Sequence, residues 1–139
     1  MCYSAWNYGA DLRIFKTRWF GRVARAESID DDSLGEAIQR AARGLVDADL
    51  GGGLIKQRVA RKGKGRSGGY RVIIAYRFEE RAVFLYGFAR NERDNIAHDE
   101  LDDLRFAARD WLEAKGAGIE AALKDGAIQE LEHDEDSDD

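Results

Sequence analysis

Between Leu54 and Arg71 the chain reads LIKQRVARKGKGRSGGYR, with seven Lys or Arg and no carboxylate. Such a block attracts polyanions whatever the charge of the rest of the molecule. Read as a strand, Leu54–Arg61 alternates so that Lys56 and Arg58 share one face and Ile55, Gln57 and Val59 the other. The next apolar run opens beside Arg71 and the third ends at Arg90, so guanidinium groups from several strands are expected to converge. Between the first two runs, Gly63, Gly65 and Gly68 let backbone N–H groups approach an anion while Arg61, Lys62, Lys64 and Arg66 surround it. That combination suits phosphate.

Other chemistries find less support. GKGRSG fits the spacing of a dinucleotide-binding loop, but such a loop follows a strand and opens a helix, whereas this one opens another strand. A kinase-type glycine loop lies between strands, yet the chain is too short for the catalytic and metal-binding parts that chemistry needs. One Cys and two His cannot build a four-ligand zinc site, and no Asp/Glu/His cluster with ligand spacing lies near the basic strands, so no metal and no cofactor is expected. His98 stands at a helix start and His133 in the tail. Acid–base chemistry would then fall to Lys, Arg, Tyr or Glu92. Tyr76, Tyr86 and Phe88 read as packing rather than as base-stacking platforms.

The 139 residues, 44% hydrophobic and 35% charged, suffice for one core, and the chain reads as one domain. Net charge is −5, which alone argues against a nucleic-acid partner, but the average conceals three zones. Residues 51–93 carry eleven Lys or Arg against three carboxylates, whereas residues 94–139 carry four against sixteen. A single Cys forms no internal disulfide, the apolar run Ala82–Ala89 falls far short of the ~20 residues of a membrane helix, and no signal pattern opens the chain. A cytoplasmic protein with no membrane partner is expected.

Elements that position the cations follow from periodicity. Residues 1–11 read as an N-terminal extension. A first strand covers Leu12–Lys16, and Thr17 caps a helix over Arg18–Ala26 in which Trp19, Phe20 and Val23 recur at helical spacing. Asp30–Ser33 starts a second helix running to about Arg43. After the turn Gly51–Gly53, strands over Leu54–Arg61, Tyr70–Arg77 and Ala82–Ala89 form an antiparallel meander. Helical period returns over Asp99–Lys115 and again over Ile119–Leu131. The tail, residues 133–139, is almost wholly acidic and reads as disordered. It is also a candidate internal screen across the basic hairpin.

This order, with IKQRVAR, GKGRSGGYR and YGFARNERDNI in sequence, resembles the RelE/HigB-type toxins of bacterial toxin–antitoxin modules, a branch of the RelE/ParE superfamily. The resemblance is carried by Leu12 to Leu112, and the toxin domain is placed at residues 12–132. It implies an α+β, RelE-like β-α-α-β-β-β fold with an antiparallel sheet and C-terminal helices. It implies an endoribonuclease that enters the ribosomal A site, cleaves mRNA without a metal to leave a 2′,3′-cyclic phosphate and a 5′-OH, and inhibits translation. The implied partners are the ribosome, mRNA and a cognate antitoxin of HigA/RelB type. By position, Lys56, Arg58, Arg71, Arg90 and Glu92 take the catalytic places. Arg61, Lys62, Lys64, Arg66, Ser67 and Asn91 take the RNA-binding ones. The alternative is a ParE-like, non-catalytic inhibitor of DNA gyrase with the same fold.

Overall fold

The computed structural model describes residues 12–61, 65–89 and 97–131, without the side chains of 61 and 65–68. Residues 1–11 and 132–139 lie outside it. In chain order the elements are β1 (Arg13–Thr17), α1 (Arg18–Ala26), α2 (Asp31–Ala42), β2 (Ala48–Gly51), β3 (Leu54–Arg61), β4 (Gly65–Arg77), β5 (Arg81–Ala89), α3 (His98–Glu113), α4 (Gly116–Asp125) and β6 (Ile128–Glu130). The strands form a six-stranded sheet in the order β2-β3-β4-β5-β1-β6. This is the expected α+β class.

Local chemistry sets the first helices. Thr17 Oγ1 accepts from Phe20 N–H at 3.2 Å, and Asp30 Oδ1 from Ser33 N–H at 2.9 Å. Each satisfies a donor that the helix itself leaves open. Asp31 and Asp32 add negative charge to the first turn of α2, where the helix dipole favours it.

Helices cover both faces of the sheet. Phe20, Leu34 and Ile38 from α1 and α2 pack on Val59, Val72, Ile74 and Phe84. On the opposite face, Ala108 and Leu112 of α3 and Ile119 of α4 pack with Phe15, Leu54, Ile73, Ala75 and Val83. A strand covered on both sides has no reason to alternate, which is why β4 and β5 contain the unbroken apolar runs VIIA and AVFL.

Helix α3 has no basic residue in its last turn. Its C-terminal carbonyls are met instead by the β4–β5 hairpin. Arg77 Nη1 donates to Leu112 O at 3.0 Å, and Arg81 Nη1 to Trp111 O at 2.6 Å and Ala114 O at 2.9 Å. Burial, and then the neighbouring Arg77 and Arg13, hold the Arg81 guanidinium below its ordinary pKa.

Four details depart from the sequence reading. The pairs are antiparallel except β1 with β5, which run parallel with Phe15 opposite Val83. The short edge strand β2 was not anticipated. Strand β4 begins at Gly65 rather than Tyr70 and pairs it with Arg61, so the backbone of Arg66 and Ser67 belongs to a strand. The last helix stops at Asp125: Gly126 takes a left-handed conformation (φ 83°), and Ile128–Glu130 joins the sheet edge against β1. Arg13 fastens that edge through Glu130 (2.8 Å) and Glu120 (3.0 Å), whose hydrogen bonds hold its pKa above the ordinary value.

Candidate functional site

Cross-strand register on the α3 face builds three successive rows. Leu54 stands opposite Ala75, Lys56 opposite Ile73, and Arg58 opposite Arg71. From β5, Tyr86 extends the second row and Phe88 the third. Opposed residues have Cα atoms about 5 Å apart. Leu54 and Ala75, with Val83, lie in the core that α3 covers. Toward the other end the same alternation delivers Lys56, Arg58 and Arg71.

Residues facing the opposite side hold this cationic stretch in place. Gln57 is fully buried, yet each of its polar atoms is satisfied. Its Nε2 donates to Ala37 O at 2.9 Å and Leu45 O at 3.1 Å, and its Oε1 accepts from Asp47 N–H at 2.8 Å. Arg40, also buried, pairs through Nε with Glu36 at 3.0 Å and donates through Nη2 to the carbonyl of Arg58. Asp47 accepts from Arg58 N–H at 2.7 Å and lies 3.4 Å from its Nε. Helix α2 and the β2 edge therefore fix the backbone on either side of the cations. In β5, Gly87 is required for a steric reason: a Cβ there would meet the Tyr70 ring at 2.5 Å and the Arg71 carbonyl oxygen at 3.2 Å.

The cations differ in setting. Arg58 is exposed and partly neutralised by Asp47, whereas Lys56 is half-buried and has no carboxylate within ion-pair distance among the described residues. Arg71 is half-buried, with Nη1 shielded from solvent. A cation in such a setting acts on a bound anion more strongly than one in bulk water. Three positive groups on one fixed patch can bind a phosphate and stabilise extra negative charge developing on it.

The expected site residues are thus only partly brought together. Lys56, Arg58 and Arg71 share one face. Arg61, Arg66 and Ser67 continue β3 and β4, their side chains undescribed, and Lys62, Lys64, Arg90, Asn91 and Glu92 lie outside the described residues. Gln57, Arg40 and Asp47 were not foreseen as positioning groups. A Gln at a core-facing strand position was the available signal for the first.

A cleft of about 580 Å³ lies at the other end of this face, between α3 and the turn Gly51–Gly53. Of its three cations, Arg77 is committed to Leu112 O, Arg105 to Leu50 O and Arg109 lies over the Phe106 ring, and Asp102 and Glu113 offset most of their charge. It does not present the concentrated positive charge of the Lys56–Arg71 patch. No described helix is long and apolar enough to cross a membrane.

The family described as RelE toxin of RelE / RelB toxin-antitoxin system matches residues 12–131, nearly the whole described chain. Edge strand, basic β3 and the closing α4–β6 unit all fall inside that match, and the chain belongs to the RelE family, the toxins of a toxin–antitoxin system.

Proposed function

We propose that this toxin is a ribosome-dependent, metal-independent mRNA endoribonuclease whose cleavage stops translation. The observation that carries the reading is the fixed row of Arg58 and Arg71 with Lys56 beside it. In the proposed step the RNA 2′-oxygen forms a bond to the adjacent phosphorus and the bond from phosphorus to the 5′-oxygen breaks. A 2′,3′-cyclic phosphate and a 5′-OH result. Lys56 or Glu92 receives the 2′ proton, and solvent or a neighbouring acid protonates the leaving oxygen. Arg71, with Arg90, stabilises the phosphorane, a role that suits a group that stays charged. Arg58 orients the phosphate, while Arg61, Lys62, Lys64, Arg66, Ser67 and Asn91 hold flanking RNA.

On this reading the toxin acts in the cytoplasm, residues 12–132 form the acting domain, and a HigA/RelB-like antitoxin neutralises it by covering the cationic face. Toeprinting of translating ribosomes in a purified system is the test. Added toxin is expected to give new mRNA ends within the A-site codon. Intact mRNA together with DNA breaks and gyrase arrest in cells would replace this reading with the gyrase-inhibitor one.

A further inference from the structure

The aromatic residues of β5 begin where the cation row ends. At the bulge between Ile73 and Ile74 of the β4–β5 ladder, Leu85 is the extra residue, so that Tyr86 pairs with Ile73 and Phe88 with Arg71. One inserted residue reverses the facing of everything beyond it. Tyr86 and Phe88 thereby join the α3 face. Trp19, in the first turn of α1, lies over Tyr86 with ring centres 5.2 Å apart and planes 14° from parallel. Tyr86 and Phe88 follow at 6.3 Å.

Trp19 is nevertheless 42% exposed. An indole stacked on one partner and open to water is an incomplete stack. Cations flank it on two sides. Arg71 and Lys56 lie across the strands, and α1 itself carries Arg18, Arg22 and Arg25 with no carboxylate. Arg18 is occupied with the carbonyls of Asp125 and Gly126, whereas Arg22 and Arg25 are exposed and have no ion pair among the described residues. A protein-docking surface would need apolar neighbours around the indole. Among the described residues, the other exposed large apolar side chains, Leu45, Phe78 and Phe106, stand elsewhere in the fold. An aromatic ring between two patches of positive charge is the arrangement that takes a base and its flanking phosphates.

We propose that Trp19, backed by Tyr86, is a nucleobase platform. An unpaired base of single-stranded RNA stacks on the exposed indole. The phosphate on one side runs to Arg71 and Lys56, and the phosphate on the other to Arg22 on α1. The platform deepens the ribonuclease reading: it rests on it for the identity of the strand, and it fixes which nucleotide is presented to the cations. Because every base has a π-face, stacking sets affinity and register more than sequence.

The test combines contact with consequence. A short oligoribonucleotide carrying 4-thiouridine is crosslinked to the full chain by ultraviolet light and the modified peptide mapped. In parallel, cleavage on ribosomes is measured for Trp19→Ala and Trp19→Phe. A crosslink at Trp19 or Tyr86 is expected. Trp19→Ala should raise the mRNA concentration needed for half-maximal cleavage by about tenfold and blur the cleavage position, and Trp19→Phe should restore most of both. If Trp19→Ala leaves crosslinking and cleavage unchanged, the platform is wrong while the ribonuclease reading stands. Crosslinking at Trp19 without any mRNA cleavage would keep the platform and remove the ribonuclease. If Trp19→Ala loses antitoxin binding while the crosslink yield holds, the ring belongs to a protein interface and the proposal falls.

Discussion

The two ends of the α3 face are made by the same three strands with the same alternation, and they end up doing opposite things. At one end Leu54, Ala75 and Val83 present apolar groups, and α3 covers them with Ala108 and Leu112. A few ångströms along, the same positions deliver Lys56, Arg58 and Arg71. Burying these cations under a helix costs far more than leaving them at the open end, so the apolar set determines how far the helix reaches. The binding surface is the part of the face that the sequence leaves without apolar cover.

The covered end should be the more costly to disturb. Leu112→Ala removes a buried side chain beneath α3 and is expected to lower stability by about 3 kcal/mol in denaturant titration. Cleavage per folded molecule should be unchanged. A large loss of cleavage with intact stability would mean that the two ends are not independent.

At the open end, Arg71→Ala should do the reverse, cutting single-turnover cleavage about a hundredfold, roughly 2.7 kcal/mol, with ribosome affinity and melting temperature nearly constant. A rate within a few fold of wild type at saturating ribosome would remove Arg71 from the phosphorane.

The smallest effect sharpens the comparison on the opposite face. Tyr76 packs against the α1–α2 core, and its hydroxyl is buried with no hydrogen-bond partner among the described residues. Burial, and secondarily Glu79, raise its pKa above the usual 10.0. The fold prefers the neutral phenol, so this contribution is intact below pH 10 and is lost as pH rises through the higher folded value. Tyr76→Phe should gain about 1 kcal/mol at neutral pH and flatten the alkaline limb of the stability curve. An unchanged limb would show that Tyr76 does not govern it.

How far these features could be read in advance depends on whether their cause is local. Helix α1 and strand β3 begin and end where the sequence places them, because Thr17 is a cap and Gly51–Gly53 a turn. Strand β2, ADLG, has no apolar run and exists only because β3 offers it an edge. In β6 the pattern from Ile119 onward continues at helical spacing, and the contrary signal was Gly126, a residue that ends helices. Parallel pairing of β1 with β5 has no local signature at all. Alternation placed Lys56 and Arg58 together, but the row with Arg71 required the register. Trp19 was hidden for a different reason: next to Phe20 on a helical pattern it reads as core, and only the bulge at Leu85, invisible in the sequence, brings Tyr86 round to meet it.

Arg77 and Arg81 extend the comparison from geometry to assembly. Because α3 lacks a basic residue in its own last turn and receives its terminal donors from the β4–β5 hairpin, its C-terminal end has no stability of its own to contribute before the hairpin exists. Hairpin and helix, some thirty residues apart in the chain, should therefore open and close together, their amide protons exchanging with solvent as one cooperative unit. The lid over the apolar rows and the strands that carry the cations are in this sense a single folding event, so any partner that pulls α3 away also loosens the frame on which Arg71 is mounted.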